Sequence, residues 1–97
     1  MTSLTKILLA VLLCLFAQAQ SIAPNVIEQI EFRGLSRVPV DTVRAIVHSK
    51  AGDVYDEKAL ATDFKALWDT KRFDDIQVKK ETGPRGGVVV RFVVTER

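Results

Sequence analysis

The chain has 97 residues and a formal net charge of +2 at pH 7, with 14 lysines and arginines against 12 acidic residues. This length allows one small domain. The near balance of charge argues against nucleic-acid binding, which a strongly basic domain or stripe would indicate. A single cysteine, Cys14, excludes an internal disulfide, so packing or a neighbouring domain or partner has to stabilise the fold.

The first 19 residues have the three-part pattern of a cleavable secretory signal. Lys6 precedes an apolar run from Ile7 to Ala17, and Ala17-Gln18-Ala19 is a small-x-small cleavage site. The run is shorter than the roughly 20 apolar residues that span a bilayer, which disfavours the alternative of an uncleaved anchor. We expect residues 1–19 to be removed, and residues 20–25 to form a short leader of an extracytoplasmic protein.

The first half of the remaining chain predicts a strand and a short helix. From Val26 to Arg33 apolar and charged side chains alternate, as in a half-buried strand, and Gly34 ends the strand in a turn. Pro39 suits a helix entrance, where its missing N–H is not needed. We predict a helix from Val40 to His48 with one apolar stripe, formed by Val40, Val43, Ile46 and Val47.

A second helix is indicated by a capping residue and a regular apolar face. Asp56 stands where an N-cap belongs, and Glu57 follows in the first turn, where a negative charge favours the helix dipole. The spacing i, i+4, i+7, i+8 predicts a buried face that ends near Thr70 and contains Leu60, Phe64, Leu67 and Trp68.

Two further strands and a hairpin complete the chain. Ile76 and Val78 alternate with polar residues and predict the second strand. Turn-forming residues from Thr82 to Gly87 predict a hairpin loop. The third strand, Val88 to Thr95, has apolar residues on both faces, which is typical of a central strand.

The predicted order β-α-α-β-β defines an α+β fold, with two helices packed on one face of a three-stranded mixed sheet. Two consecutive helices return the chain to the same end of the sheet. The second strand therefore runs against the first, and the third runs with it and lies in the middle. We expect one core between helices and sheet, which includes Ile30, Phe64, Leu67, Val90 and Phe92.

Three stretches of the chain resemble the POTRA domain family and together cover Ile27 to Arg97. They read IEQIEFRGLSRVPVDTVRAIV, GDVYDEKALATDFKALWDTKRFDDIQV and VVVRFVVTER. The matching points are Phe32 and Gly34 at the strand end, the helix entrance GDVYD, the helix exit around Leu67 and Phe73, and the closing V-x-E-R. The family usually has glycine between the second helix and the second strand, where this chain has Lys71.

A signal peptide followed directly by a POTRA domain, here residues 26–97, is similar to the start of BamA-type outer-membrane protein assembly factors. The resemblance implies a non-catalytic interaction module in the periplasm, associated with the outer membrane if it belongs to a barrel-anchored protein. It implies no cofactor. The implied partners are unfolded outer-membrane β-barrel proteins, assembly accessory subunits and further POTRA domains. The final Thr95-Glu96-Arg97 fits either a solitary POTRA or one unit of a longer protein.

The alternative is a POTRA of the cell-division protein FtsQ type, which docks division proteins at the inner membrane. That family carries a cytoplasmic tail and a full membrane anchor before its POTRA. In this chain only six residues precede the apolar run, and a small-x-small site follows it. These features favour the assembly-factor reading.

The candidate partner site is the second strand, which comprises Ile76, Gln77, Val78, Lys79, Lys80 and Glu81. If the third strand is central, the second is an edge with unpaired backbone groups. Such an edge accepts a strand from another chain through main-chain hydrogen bonds. Lys79 and Lys80 also serve to protect an edge from aggregation, and both roles are compatible.

The other candidate residues favour structural roles. His48 is expected to act as a cation at a helix C-terminus, and Trp68 to pack in the core. Acidic residues at 53, 56, 57, 74 and 75 match no calcium loop, and one histidine without a mature-chain thiol excludes a tetrahedral zinc site. No nucleophile–base set predicts catalysis. The segment 83–87 could cradle an anion, but a hairpin turn explains its glycines.

Overall fold

The computed structural model describes residues 21–97, so the predicted signal segment lies outside the described residues. Five elements follow one another: β1 (Ile27–Arg33), α1 (Val40–Ile46), α2 (Glu57–Asp69), β2 (Phe73–Thr82) and β3 (Val88–Glu96). This order confirms the predicted β-α-α-β-β arrangement. Between residues 21 and 97, no helix has the length and apolar character needed to cross a membrane.

The sheet has the order β1-β3-β2, so β3 is the central strand, as predicted. β1 pairs with β3 in parallel, with Ile30 opposite Val90. β2 pairs with β3 in antiparallel, with Val78 opposite Phe92. β2 begins earlier than expected, at Phe73, because a bulge between Phe73 and Asp75 lets the strand continue through the acidic pair.

The core lies between the sheet and the two helices. Its buried members are Ile27, Ile30, Val43, Val47, Leu60, Leu67, Phe73, Ile76, Val88, Val90, Phe92 and Val94. The rings of Phe32 and Phe92 stack with their centroids 5.4 Å apart. Four of the five expected core residues are therefore buried, whereas Phe64 is half-buried at the border of the core.

The prediction that Trp68 belongs to the core is wrong, since 44% of the residue is exposed. The buried residues of α2 are Leu60, Asp63 and Leu67. Trp68 follows Leu67 by one residue, a rotation of about 100° that carries its side chain out of the buried face. The indole instead stacks on Phe64, with the ring centroids 6.3 Å apart.

Helix α1 is shorter than predicted and ends at Ile46 rather than at His48. Val47 already has an extended backbone, with φ −79° and ψ 121°. His48 therefore lies beyond the helix, whose last turn carries Arg44 as its basic residue. Val40 is 42% exposed, so it does not belong to the buried stripe.

Helix α2 begins as predicted, because the Asp56 side chain accepts a hydrogen bond of 3.0 Å from the backbone N–H of Lys58. The turn that follows the helix contains Lys71 at φ +61°. This is a left-handed backbone conformation, at the position where the resemblance implies glycine. A residue with a Cβ adopts it at a cost of about 1 kcal/mol.

Candidate functional site

The β2–β3 hairpin determines which backbone groups of β2 point outward. The backbone N–H of Gly83 donates to the carbonyl of Gly87 at 2.9 Å, which makes these two residues a hydrogen-bonded pair. Such pairs alternate along an antiparallel ladder. In the observed register, Gln77, Lys79 and Glu81 therefore bond to β3. The alternate residues are Ile76, Val78 and Lys80, and their N–H and C=O groups point away from β3, outward from the edge of the sheet.

The side chains of these three residues, whose backbone groups point outward, lie on the helix side of the sheet. Ile76 is buried in the core, and Val78 is 38% exposed. The ammonium group of Lys80 lies over the ring of Tyr55, 4.1 Å from its centroid. Burial of the Tyr55 ring, with a smaller effect of the Glu57 charge, raises the pKa of the phenol above its ordinary value. The predicted site thus includes one core residue, one exposed apolar residue and one partnered cation.

The alternate side chains of β2 lie on the outer face of the sheet. There Arg91 of the central strand binds Glu81 at 2.7 Å and Glu31 of β1 at 2.8 Å. The hydrogen bond from Arg91 outweighs desolvation and lowers the pKa of Glu31. Gln77 donates weakly to Asp75 at 3.3 Å, whereas Lys79 forms no ion pair with any of residues 21–97.

An aromatic pair on α2, the half-buried Phe64 and the exposed Trp68, is the surface feature that the sequence analysis missed. Asp63 binds the segment that follows α1. Phe64 and Trp68 are rotated away from Asp63 by about 100° and 140°, so they lie on the flank of α2 turned away from α1. The sequence contained one signal for this pair: the four apolar residues of α2 form a wider stripe than the helix needs to bury, so those at the edge of the stripe are left near the surface.

The buried Asp63 is the second feature that sequence reasoning did not identify. It is 1% exposed, and its carboxylate accepts hydrogen bonds from the backbone N–H of His48 at 2.9 Å and of Ser49 at 3.1 Å. The Ser49 hydroxyl donates a third bond of 2.6 Å. The carboxylate therefore ties the end of α1 to α2. Its position between Leu60 and Leu67 in an apolar stripe was a signal that could have identified it.

The segment 83–87 forms the predicted hairpin turn. The backbone N–H of Gly86 donates to the carbonyl of Gly83 at 3.1 Å, and Gly86 has φ +91°. This is a three-residue turn closed by a bulge at a left-handed residue. A carboxylate of the chain itself binds this loop: Glu28 accepts a hydrogen bond of 3.2 Å from the backbone N–H of Arg85.

The Glu96 carboxylate closes the loop between β1 and α1. It accepts hydrogen bonds from three successive backbone N–H groups, those of Ser36, Arg37 and Val38. Arg97, the next residue, pairs with Asp74 of β2 at 3.1 Å. The closing E-R of this pattern is therefore explained by contacts that fasten the end of β3 to the loop after β1 and to β2.

We expect the Glu96 contacts to make stability depend on pH. Desolvation raises the pKa of Glu96, but the hydrogen bonds from Ser36, Arg37 and Val38 together outweigh it, so the pKa lies below its ordinary value. A carboxyl group whose pKa falls on folding stabilises the fold fully above its unfolded pKa, and this contribution is lost as the pH falls through the folded pKa. Urea unfolding midpoints between about pH 7 and about pH 3 should therefore decrease less in Glu96→Gln than in the wild type.

The exposed Glu57 offers the control for this measurement. Glu57→Gln removes a carboxylate in the first turn of α2, outside the Glu96 contacts. Its urea midpoint should still decrease between about pH 7 and about pH 3, because Glu96 and its three backbone donors are intact in this variant. A Glu96→Gln profile parallel to the wild type would show that the three backbone hydrogen bonds do not depend on ionisation.

Within residues 21–97, no group of three or more histidine, cysteine, aspartate and glutamate side chains could hold a metal ion. The two long open stretches of backbone are the outer edges of β1 and β2.

Comparison with known proteins gives a family for almost all of the described residues. The family profile described as "POTRA: Surface antigen variable number repeat" matches residues 25–97. A curated relative, the outer membrane protein assembly factor BamA of Nitratidesulfovibrio vulgaris (strain Hildenborough), is 33% identical over 73 residues. The match covers 75% of this chain and 9% of the relative, so the chain spans less than a tenth of that protein's length.

Solved structures share the fold. The N-terminal domain of Omp85 from Thermosynechococcus elongatus superposes with a TM-score of 0.70 at 24% identity, covering 75% of this chain and 35% of the other. BamA from Haemophilus ducreyi lacking POTRA domains 1–3 superposes with a TM-score of 0.69 at 18% identity, covering 74% of this chain and 14% of the other. At these identities the likeness concerns the fold alone.

Proposed function

Because this chain belongs to the POTRA family, we propose that it is a non-catalytic periplasmic interaction module of an outer-membrane β-barrel assembly or translocation factor. Its partners are unfolded barrel segments or accessory subunits of the assembly machinery, and they bind by adding a strand to the edge of β2. The similarity to a BamA assembly factor supports the context. The open backbone of β2 supports the mode of binding.

The geometry of β2 suits an added strand. Ile76, Val78 and Lys80 present N–H and C=O groups at regular two-residue spacing, and none of these groups bonds to any other part of residues 21–97. Main-chain bonding ignores the partner's side chains. It therefore suits clients that share β-strand character rather than one sequence.

Side chains next to the edge supply apolar contact. An added strand would place alternate side chains on the helix side of the sheet, beside the exposed Val78. Helix α2 packs against β2, and its flank with Phe64 and Trp68 is turned away from α1. The unpaired Lys79 faces the outer side, where a charge disfavours uncontrolled pairing between copies of the sheet.

We expect weak binding, with a dissociation constant nearer millimolar than nanomolar, because a few main-chain bonds have to offset the entropy of association. The test is a titration of the full chain, purified from the periplasm of an expression host, with extended peptides from outer-membrane barrels. Amide chemical shift changes should concentrate on Gln77 to Lys80.

Proline substitutions separate docking from folding. Val78→Pro removes an outward N–H, so it should keep the fold and weaken peptide binding at least about tenfold. Lys79→Pro removes an N–H that bonds to β3, so it should lower the unfolding midpoint directly. Undiminished binding to Val78→Pro, or shift changes confined to β1, would contradict docking at β2.

A further inference from the structure

A groove follows the open edge of β1, on the opposite side of the sheet from β2. Its cavity volume is about 250 Å³. Apolar side chains of Ile30, Phe32 and Val47 line it, and the cationic side chains of Arg44 and Lys50 stand at its rim. Helix α1 and the segment after it form the wall that faces the strand. The groove therefore combines an apolar floor, a positive rim and a sheet edge.

The backbone of β1 is unpaired along this groove. The odd-numbered residues of β3 bond to β2, so the even-numbered ones bond to β1, as the 2.8 Å bond from the Val88 N–H to the Val26 carbonyl shows. In the parallel register, Ile30 lies opposite Val90. The β1 residues on either side of Ile30 and Phe32 therefore bond to β3, and the backbone groups of these two point into the groove.

The beginning of the same edge already carries a short added segment. The backbone N–H of Ile27 donates to the carbonyl of Asp53, and the N–H of Gly52 donates to the carbonyl of Ile27, both at 2.8 Å. Residues 52–54 thus extend the sheet by one antiparallel bridge, which joins Val26 to Val54. This edge accepts main-chain partners, and its open positions begin at Ile30.

The two cations of the rim have no carboxylate partner within residues 21–97. The Arg44 guanidinium lies over the ring of Phe32, 5.5 Å from its centroid, which leaves its N–H groups available to an anion. Lys50 is exposed. By contrast, on the outer face of the sheet Arg91 is paired with both Glu31 and Glu81.

We propose that this groove binds an extended acidic segment of a partner protein, in which apolar and acidic residues alternate. Its backbone bonds to Ile30 and Phe32, its apolar side chains lie on the floor of the groove, and its carboxylates pair with Arg44 and Lys50. The site is independent of the edge of β2. The chain therefore presents two strand-accepting edges, and the β1 edge selects its partner by charge.

The test uses the full chain and a short peptide that alternates valine and glutamate. Amide shift changes should concentrate on Ile30 and Phe32, and binding should weaken as ionic strength rises. The double variant Arg44→Glu/Lys50→Glu should bind the peptide at least about tenfold more weakly, and should instead bind a peptide that alternates valine and lysine. Lys50→Glu alone, in an exposed loop, should give an intermediate loss without affecting the fold.

Control variants distinguish this site from the edge of β2. Lys58→Glu/Lys65→Glu reverses two exposed charges of α2 and should leave binding unchanged, as should Val78→Pro. Equal affinity for a valine–glutamine peptide would overturn the proposal, as would loss of binding in Val78→Pro alone. Shifts of the same amides on raising the protein concentration without peptide would identify a second copy of the chain as the occupant and would also overturn it.

Discussion

Gly34→Ala is expected to destabilise the protein strongly. Gly34 has φ +90°, and an added Cβ would lie 2.0 Å from the backbone carbonyl oxygen of Val94. The left-handed backbone alone costs about 1–3 kcal/mol in a residue with a side chain. The overlap is with backbone of the central strand, which cannot move aside as a side chain would, so the total loss should exceed about 3 kcal/mol. Urea unfolding followed by far-ultraviolet circular dichroism measures it.

Gly52→Ala is the matched control. Gly52 has a similar φ of +98°, but an added Cβ there has no heavy atom within 4 Å. It therefore carries the backbone strain without the overlap, and its unfolding free energy should fall by only about 1–3 kcal/mol. Equal losses in the two variants would show that the close approach to Val94 contributes nothing.

Asp63→Ala should produce the second large loss of stability. The substitution leaves the backbone N–H groups of His48 and Ser49 and the Ser49 hydroxyl without their acceptor, in part-buried positions. Each unsatisfied buried group costs about 1–3 kcal/mol. We expect a loss of about 3–5 kcal/mol in the free energy of unfolding, because three part-buried donors lose their acceptor together and water can reach them only in part.

Ser49→Ala separates the contributions of this cluster. It removes one donor and leaves the Asp63 carboxylate bonded to both backbone groups, so the expected loss is about 1 kcal/mol. Hydrogen exchange adds a local measurement, because the amides of His48 and Ser49 should lose protection in Asp63→Ala. An Asp63→Ala variant no less stable than Ser49→Ala would contradict the role assigned to the carboxylate.

Two open edges on one small sheet bear on how the protein works with partners. The edge of β2 offers backbone groups beside an exposed valine, and the edge of β1 offers backbone groups beside two cations. Together the two proposals predict that this module holds one extended segment by main-chain bonds and another partly by charge. The variants Val78→Pro and Arg44→Glu/Lys50→Glu address these edges separately.

Local patterns in the sequence determined the kind and order of the elements. The Asp56 cap, the alternation in β1 and β3 and the glycine-rich hairpin act within a few residues of themselves, so they can be identified without the fold. The doubly apolar β3 also predicted the central position of that strand, because only a strand with two neighbours is buried on both faces. In a three-stranded sheet with β3 in the middle, β2 has to be an edge strand, so its edge position was also predictable.

Only the tertiary structure decided which residues of each element are buried and which backbone groups are free. Asp63 replaces an apolar residue in the core because amides 14 and 15 residues earlier bind it, while Trp68 leaves the core because α2 is rotated toward Asp63. The exact end of α1 and the outward direction of the Val78 and Ile30 amides likewise depend on partners that are distant in sequence. Periodicity records the spacing of side chains along one element. The rotation of a helix and the register of a sheet are set by contacts between elements, which no local pattern contains.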